Sequence, residues 1–107
     1  MHITFVKVEV FIPEQYIETL RNSLNDIGVL QVGNYDHVVS YTMTKGYWRP
    51  LQAANPYDGV KGEISYGSEC KLEFRCPYKK IEDVMKIIKT IHPYEEPMIY
   101  IIPLLDR

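Results

Sequence analysis

The feature that most constrains this chain is an internal repeat: Pro13 and Pro77 sit 64 positions apart (77 − 13 = 64), and the same pattern surrounds both. Val6, Val8, Val10 and Ile12 alternate with Lys7, Glu9 and Phe11 before the first proline. Cys70, Leu72, Phe74 and Cys76 alternate with Glu69, Lys71, Glu73 and Arg75 before the second. Successive side chains of a strand point to opposite faces, so each run predicts a strand with one buried face. Each proline suits the first residue of a helix, where its missing N–H costs no hydrogen bond. Ile17, Leu20, Leu24 and Ile27 then recur at helical spacing, as do Ile81, Val84, Ile88 and Ile91 at the same offset, and Glu18 matches Glu82.

Two strand–helix units of one design each need a further strand, and Leu30 to Met43 and Met98 to Leu104 supply them. The order βαβ-βαβ predicts an α+β, ferredoxin-like two-layer sandwich, with both helices on one face of a four-stranded antiparallel sheet. At 107 residues this is one domain, residues 1–107. Even-numbered residues of the first and third strands, with the helix stripes, should form the core. The odd-numbered face, with Lys7, Glu9, Glu69, Lys71, Glu73 and Arg75, should pair its charges and meet water or a wet subunit interface.

Thr44 to Ser68 resists this scheme. It holds Gly46, Gly59, Gly62, Gly67, Pro50 and Pro56 without helical period, and reads as a long insertion with a short extra strand near Tyr47 to Arg49, or as a binding loop. Tyr47, Trp48, Tyr57 and Tyr66 are too apolar to stand in water together; they pack on the sheet or a neighbouring subunit, or stack on a ligand.

Charge removes whole classes of function. Twelve Lys and Arg against fourteen Asp and Glu give a net charge of −2, without the basic excess that phosphate backbones require, so nucleic acid is not an expected partner. Pro97 to Leu105 is too short and too interrupted by proline to cross a bilayer, and charged residues within the first apolar run make it a strand rather than a leader. A cytoplasmic location follows by default. Cys70 and Cys76 lie on one predicted strand, roughly 20 Å apart at about 3.3 Å per residue, too far for a disulfide.

Two clusters could carry chemistry. Gly33-Asn34-Tyr35-Asp36-His37 falls on the second predicted strand, and His92-Pro93-Tyr94-Glu95-Glu96-Pro97 lies between the second helix and the last strand. Imidazole and carboxylate together suit zinc, manganese or copper, and paired acids suit proton transfer. His37, His92, Glu95 and Glu96 are therefore the metal or ligand candidates, although no HExxH, paired CxxC or Gly-rich phosphate loop is present. Each has a structural alternative. His92 can cap a helix C-terminus as a partly cationic imidazole with Pro93 ending the helix, Glu95 and Glu96 can be solvated turn residues, and His37 can satisfy its nitrogens on its neighbours. In a regular strand Asp36 points away from His37, so the two cannot share an ion there. The second and fourth strands should be opposite sheet edges, roughly 14 Å apart. Only another subunit, or the insertion folding over, could complete a site holding both histidines.

Gly33-Asn34-Tyr35-Asp36-His37, Arg49-Pro50, Asn55-Pro56 and His92-Pro93-Tyr94-Glu95-Glu96-Pro97 together resemble the motifs of the YqfO domain, the CutA-like insert of the Nif-three (NGG-one-interacting-factor) family. The run from Pro93 through Leu104 also resembles the final strand of CutA divalent-cation-tolerance proteins, which share this fold with PII signal proteins. The resemblance implies a stand-alone domain that assembles as a homo-oligomer, with a trimer favoured. Full-length members hold two metal ions in flanking portions that this chain lacks, so that centre is not carried over. The function expected is a non-enzymatic binding or regulatory module sensing a divalent metal, zinc or copper, or a small molecule, with Tyr47 and Trp48 as loop contacts. The alternative is a metal-dependent hydrolase-like enzyme using His37, His92, Glu95 and Glu96 at a subunit boundary.

Overall fold

A computed structural model describes residues 2–105. Strand β1 (Phe5–Ile12) leads through a 3-10 turn (Glu14–Tyr16) into helix α1 (Ile17–Asp26). Strands β2 (Ser40–Trp48) and β3 (Ser65–Pro77) follow, then a second 3-10 turn (Tyr78–Lys80), helix α2 (Ile81–Ile91) and β4 (Ile99–Pro103). The sheet order is β2-β3-β1-β4 and every pairing is antiparallel. The expected ferredoxin-like α+β architecture is thus the one observed.

The core is where the repeat puts it. Val6, Val8, Val10, Ile12, Cys70, Leu72, Phe74 and Cys76 are buried from the sheet side, and Ile17, Leu20, Leu24, Ile81, Val84 and Ile88 from the helices. Ile27 and Ile91, the last residues of each predicted stripe, pack against this core only partly buried. On the opposite face the β1–β3 register sets like charges directly across from each other, Glu9 beside Glu73 and Lys7 beside Arg75, an arrangement that repels. Contacts along and diagonally across the strands relieve it. Lys7 reaches Glu73 at 3.0 Å and Glu9 at 3.1 Å, Lys71 reaches Glu73 at 3.2 Å, and the Arg75 guanidinium lies over the Phe5 ring at 4.2 Å.

Three local expectations are corrected. Pro13 and Pro77 are extended (ψ 143° and 132°) and precede the helical turns rather than starting them. The second strand begins at Ser40, not near Leu30: Val29 and Leu30 are buried as a plug from the connection after α1, and the segment beyond them turns instead of pairing with β3. The insertion adds no extra strand near Tyr47. Instead β2 and β3 simply run on, pairing as far as Tyr47–Tyr66 and Trp48–Ser65, so that Thr44 to Trp48 and Ser65 to Ser68 form a two-stranded arm with a loop over residues 49–64.

Candidate functional site

The first cluster lies in the connection between α1 and β2. Val32 and Tyr35 bond to each other through both backbone groups, at 2.8 and 3.0 Å, around Gly33-Asn34, with Gly33 at φ +59°. This tight turn projects Tyr35 into solvent, 76% exposed. His37 follows at φ +56°, and is the one non-glycine with positive φ among the described residues. That left-handed backbone is held from α1, because Asn25 Oδ1 accepts the His37 backbone N–H at 2.8 Å. The segment is therefore not a strand, and the expectation that Asp36 and His37 point apart is overturned. Asp36 Oδ1 lies 2.9 Å from His37 Nδ1. This contact with His37, aided by Asn25, holds the Asp36 carboxyl below its usual range. An ionised carboxylate only accepts, so Nδ1 carries the proton of that bond.

The second cluster is built where α2 ends. His92 is the helix C-cap, its N–H donating to Ile88 O at 2.8 Å, and its side chain is buried. Nδ1 accepts the Tyr94 backbone N–H at 3.2 Å, and Nε2 lies 2.6 Å from Phe11 O. A carbonyl can only accept, so the ring is the neutral Nε2–H tautomer. Burial lowers the His92 pKa, only partly opposed by the Phe11 carbonyl and Glu69. The capping expectation is thus corrected in its charge: the backbone caps α2, while the imidazole ties the end of β1 to the turn before β4.

The rest of the turn anchors the 49–64 loop. Tyr94 donates its hydroxyl to Glu69 Oε2 at 2.9 Å, and burial followed by this carboxylate raises its pKa. Its ring meets Tyr57 at 5.6 Å between centroids and His92 at 4.6 Å. Glu95 Oε1 accepts the Asn55 backbone N–H at 2.8 Å. Glu96 is exposed. Tyr57 is held in turn by Gln15, at 3.5 Å, and its pKa is raised chiefly by Tyr16. The Asn55-Pro56 and His92–Pro97 motifs, 40 positions apart in sequence, therefore belong to one contact.

On the arm, the Trp48 indole N–H donates to Asp58 O at 3.1 Å, and its ring lies where a Cβ on Gly67 would come within 3.2 Å. Gly67 leaves room for the indole. Pro50 is buried next to Arg49, which is exposed, and its carbonyl accepts the Gly62 N–H. Tyr47 and Tyr66 contact each other at 4.7 Å yet stay 74% and 57% exposed.

The structure brings Asp36 to His37, and Tyr94 and Glu95 to the loop, while His92 binds Phe11 and Tyr94. His37 sits in the connection leading to edge strand β2 and His92 in the turn leading to the opposite edge, β4, so the two histidine clusters flank opposite edges. No group of three or more His, Cys, Asp or Glu positioned for a metal ion occurs among the described residues. Nothing in the sequence marked Asn25, Glu69, Tyr16 or Gln15. Each is an ordinary polar residue of a helix or strand whose partner is 12 or more positions away.

Residues 57–106 match the family described as CutA1 divalent ion tolerance protein. The GTP cyclohydrolase 1 type 2 homolog of Staphylococcus epidermidis is 38% identical over 94 residues, which are 88% of this chain and 26% of that protein. The one from Listeria innocua is 35% identical over 96 residues, 89% of this chain and again 26% of the relative. The chain thus spans about a quarter of the length of these curated relatives. Among solved structures, a Bacillus cereus protein related to NIF3 superposes with a TM-score of 0.82 at 29% identity, over 97% of this chain and 26% of that one. CutA from Synechococcus elongatus does so at 0.72 and 15% identity, over 97% and 80%. The resemblance read from the motifs is matched on both sides, NIF3-related and CutA.

Proposed function

We propose that this chain is a non-enzymatic binding or regulatory module that works as a homo-oligomer, a trimer by preference, with a divalent metal ion or a small molecule as its ligand class. The observation that carries the reading is surface. The chain exposes 7423 Å², where a compact monomer of 12.5 kDa exposes about 6,200 Å². Its radius of gyration is 15.2 Å against about 13 Å for a compact chain of this length. Exposed apolar side chains cluster on this surface. Tyr41, Met43, Tyr47 and Tyr66 lie on β2 and β3, and Tyr100, Ile101 and Ile102 on β4, all at least 39% exposed. Exposed apolar area on both sheet edges is what subunit contacts cover.

Binding rather than catalysis is supported by what the polar groups of the second cluster already do. Both His92 nitrogens, the Tyr94 hydroxyl and one Glu95 oxygen are engaged in bonds that hold the fold. The family name matched by residues 57–106 supports the metal class. The acidic charge balance argues against nucleic acid, and among the described residues no helix is long and apolar enough to cross a membrane. The free, buried Cys70 and Cys76 fit a reducing compartment such as the cytoplasm. Light scattering on purified protein, with metal analysis of the same sample, tests the proposal. A mass that is a multiple of 12.5 kDa is expected, and a monomer without bound metal or other ligand would remove it.

A further inference from the structure

Asp36 and His37 are neighbours in sequence that share one side of the chain only because His37 is left-handed at φ +56°. That conformation is uncommon for a residue with a Cβ and persists only where its surroundings hold it. Asn25 supplies the hold by accepting the His37 N–H at 2.8 Å, and the same side chain helps keep the Asp36 carboxyl below its usual range. The result is an imidazole nitrogen and a carboxylate oxygen 2.9 Å apart. Both side chains are accessible, 45% exposed at His37 and 65% at Asp36. Two donors each about 2.1 Å from a tetrahedral ion such as zinc are about 3.4 Å apart, so the pair opens by roughly half an ångström to take one.

We propose that Asp36 and His37 form a two-donor chelate for a borderline divalent cation such as zinc or nickel, set on the outside of the fold beside the end of α1. The inference rests on the binding-module reading and names a site and ligand class for it. Oxygen and imidazole nitrogen select this class over calcium, which prefers oxygen alone, and over copper(I), which prefers sulfur. On binding, the Nδ1 proton now directed at Asp36 moves to Nε2, the freed lone pair turns to the ion with a modest rotation of the ring, and the carboxylate keeps its charge. The negative end of the α1 dipole adds an attraction for a cation near the helix's last turn. Water, or a residue of a second copy, completes the coordination shell.

The test is a zinc titration followed by amide and imidazole NMR, in a His2→Gln background that removes another exposed imidazole. Saturable shifts centred on Asp36 and His37 are expected with one ion per chain. Asp36→Asn and His37→Asn should each weaken binding about tenfold, since each removes one donor; asparagine at 37 tolerates positive φ and keeps the turn. Circular dichroism of both variants checks that the fold survives. Zinc affinity unchanged in Asp36→Asn would reduce the site to a lone imidazole and overturn the chelate. Shifts located elsewhere, or none up to about 1 mM zinc, a free energy near 4 kcal/mol, would overturn it too. The mass of the metal-free sample separates the readings: an oligomer that binds no zinc here sinks only the chelate, whereas a monomer that binds zinc sinks only the assembly.

Discussion

His92 shows how a residue suited to chemistry can be taken up by structure. Its neutral ring joins Phe11 of β1 to Tyr94 of the turn, and burial depresses its pKa below the usual 6.5. A base whose folded pKa lies below its unfolded one binds fewer protons when folded, so stability rises with pH in that window. The contribution is fully present above about pH 6.5 and is lost as pH falls through the depressed folded value. Urea midpoints measured between pH 7.5 and 5 should therefore fall on acidification, and more shallowly in His92→Gln. An unchanged slope in that variant would mean another group is responsible. His92→Ala should cost about 1–3 kcal/mol, because it leaves a carbonyl and an N–H without partners in a buried place. Cys76, whose thiol burial pushes up to about 11, is by the same physics an inert core residue.

At the scale of elements, β3 organises the molecule. It pairs with β1 over eight positions and with β2 over nine, and extends past the end of β1 to carry the arm. Leu72, fully buried at its middle between Val10 and Tyr41, should cost about 2–5 kcal/mol when changed to alanine. A loss below about 1 kcal/mol would contradict the core assignment. The 49–64 loop is held to the body by few contacts, notably Glu95 with the Asn55 N–H and Tyr57 with Tyr94. Segments held by few contacts open below the global unfolding free energy. Glu95→Ala should therefore speed hydrogen exchange at Asn55 and proteolysis within residues 49–64, with the urea midpoint nearly unchanged. Equal exchange in parent and variant would show that this carboxylate does not hold the loop.

For the whole molecule, the sequence was legible wherever the repeat spoke. The 64-residue offset identified β1, α1, β3, α2 and their buried faces, because alternating and helical periods survive without knowledge of partners. It failed where tertiary context decided: Leu30 read as the start of a strand but, with Val29, plugs the core from a connection, and His37 takes a backbone conformation imposed by Asn25, twelve residues away. Of the candidate site, His37 and Asp36 were visible as residue types, but their closeness was not, since it depends on a turn that the pattern disguised as a strand. The arm lay hidden in an insertion rich in glycine and proline, and the proposed assembly would cover its exposed tyrosines. Assembly is thus the central claim, and multi-angle light scattering of the metal-free protein at micromolar concentration tests it most directly. A mass of two or more 12.5 kDa chains is expected, with three favoured, and a single-chain mass that holds as concentration rises would contradict assembly.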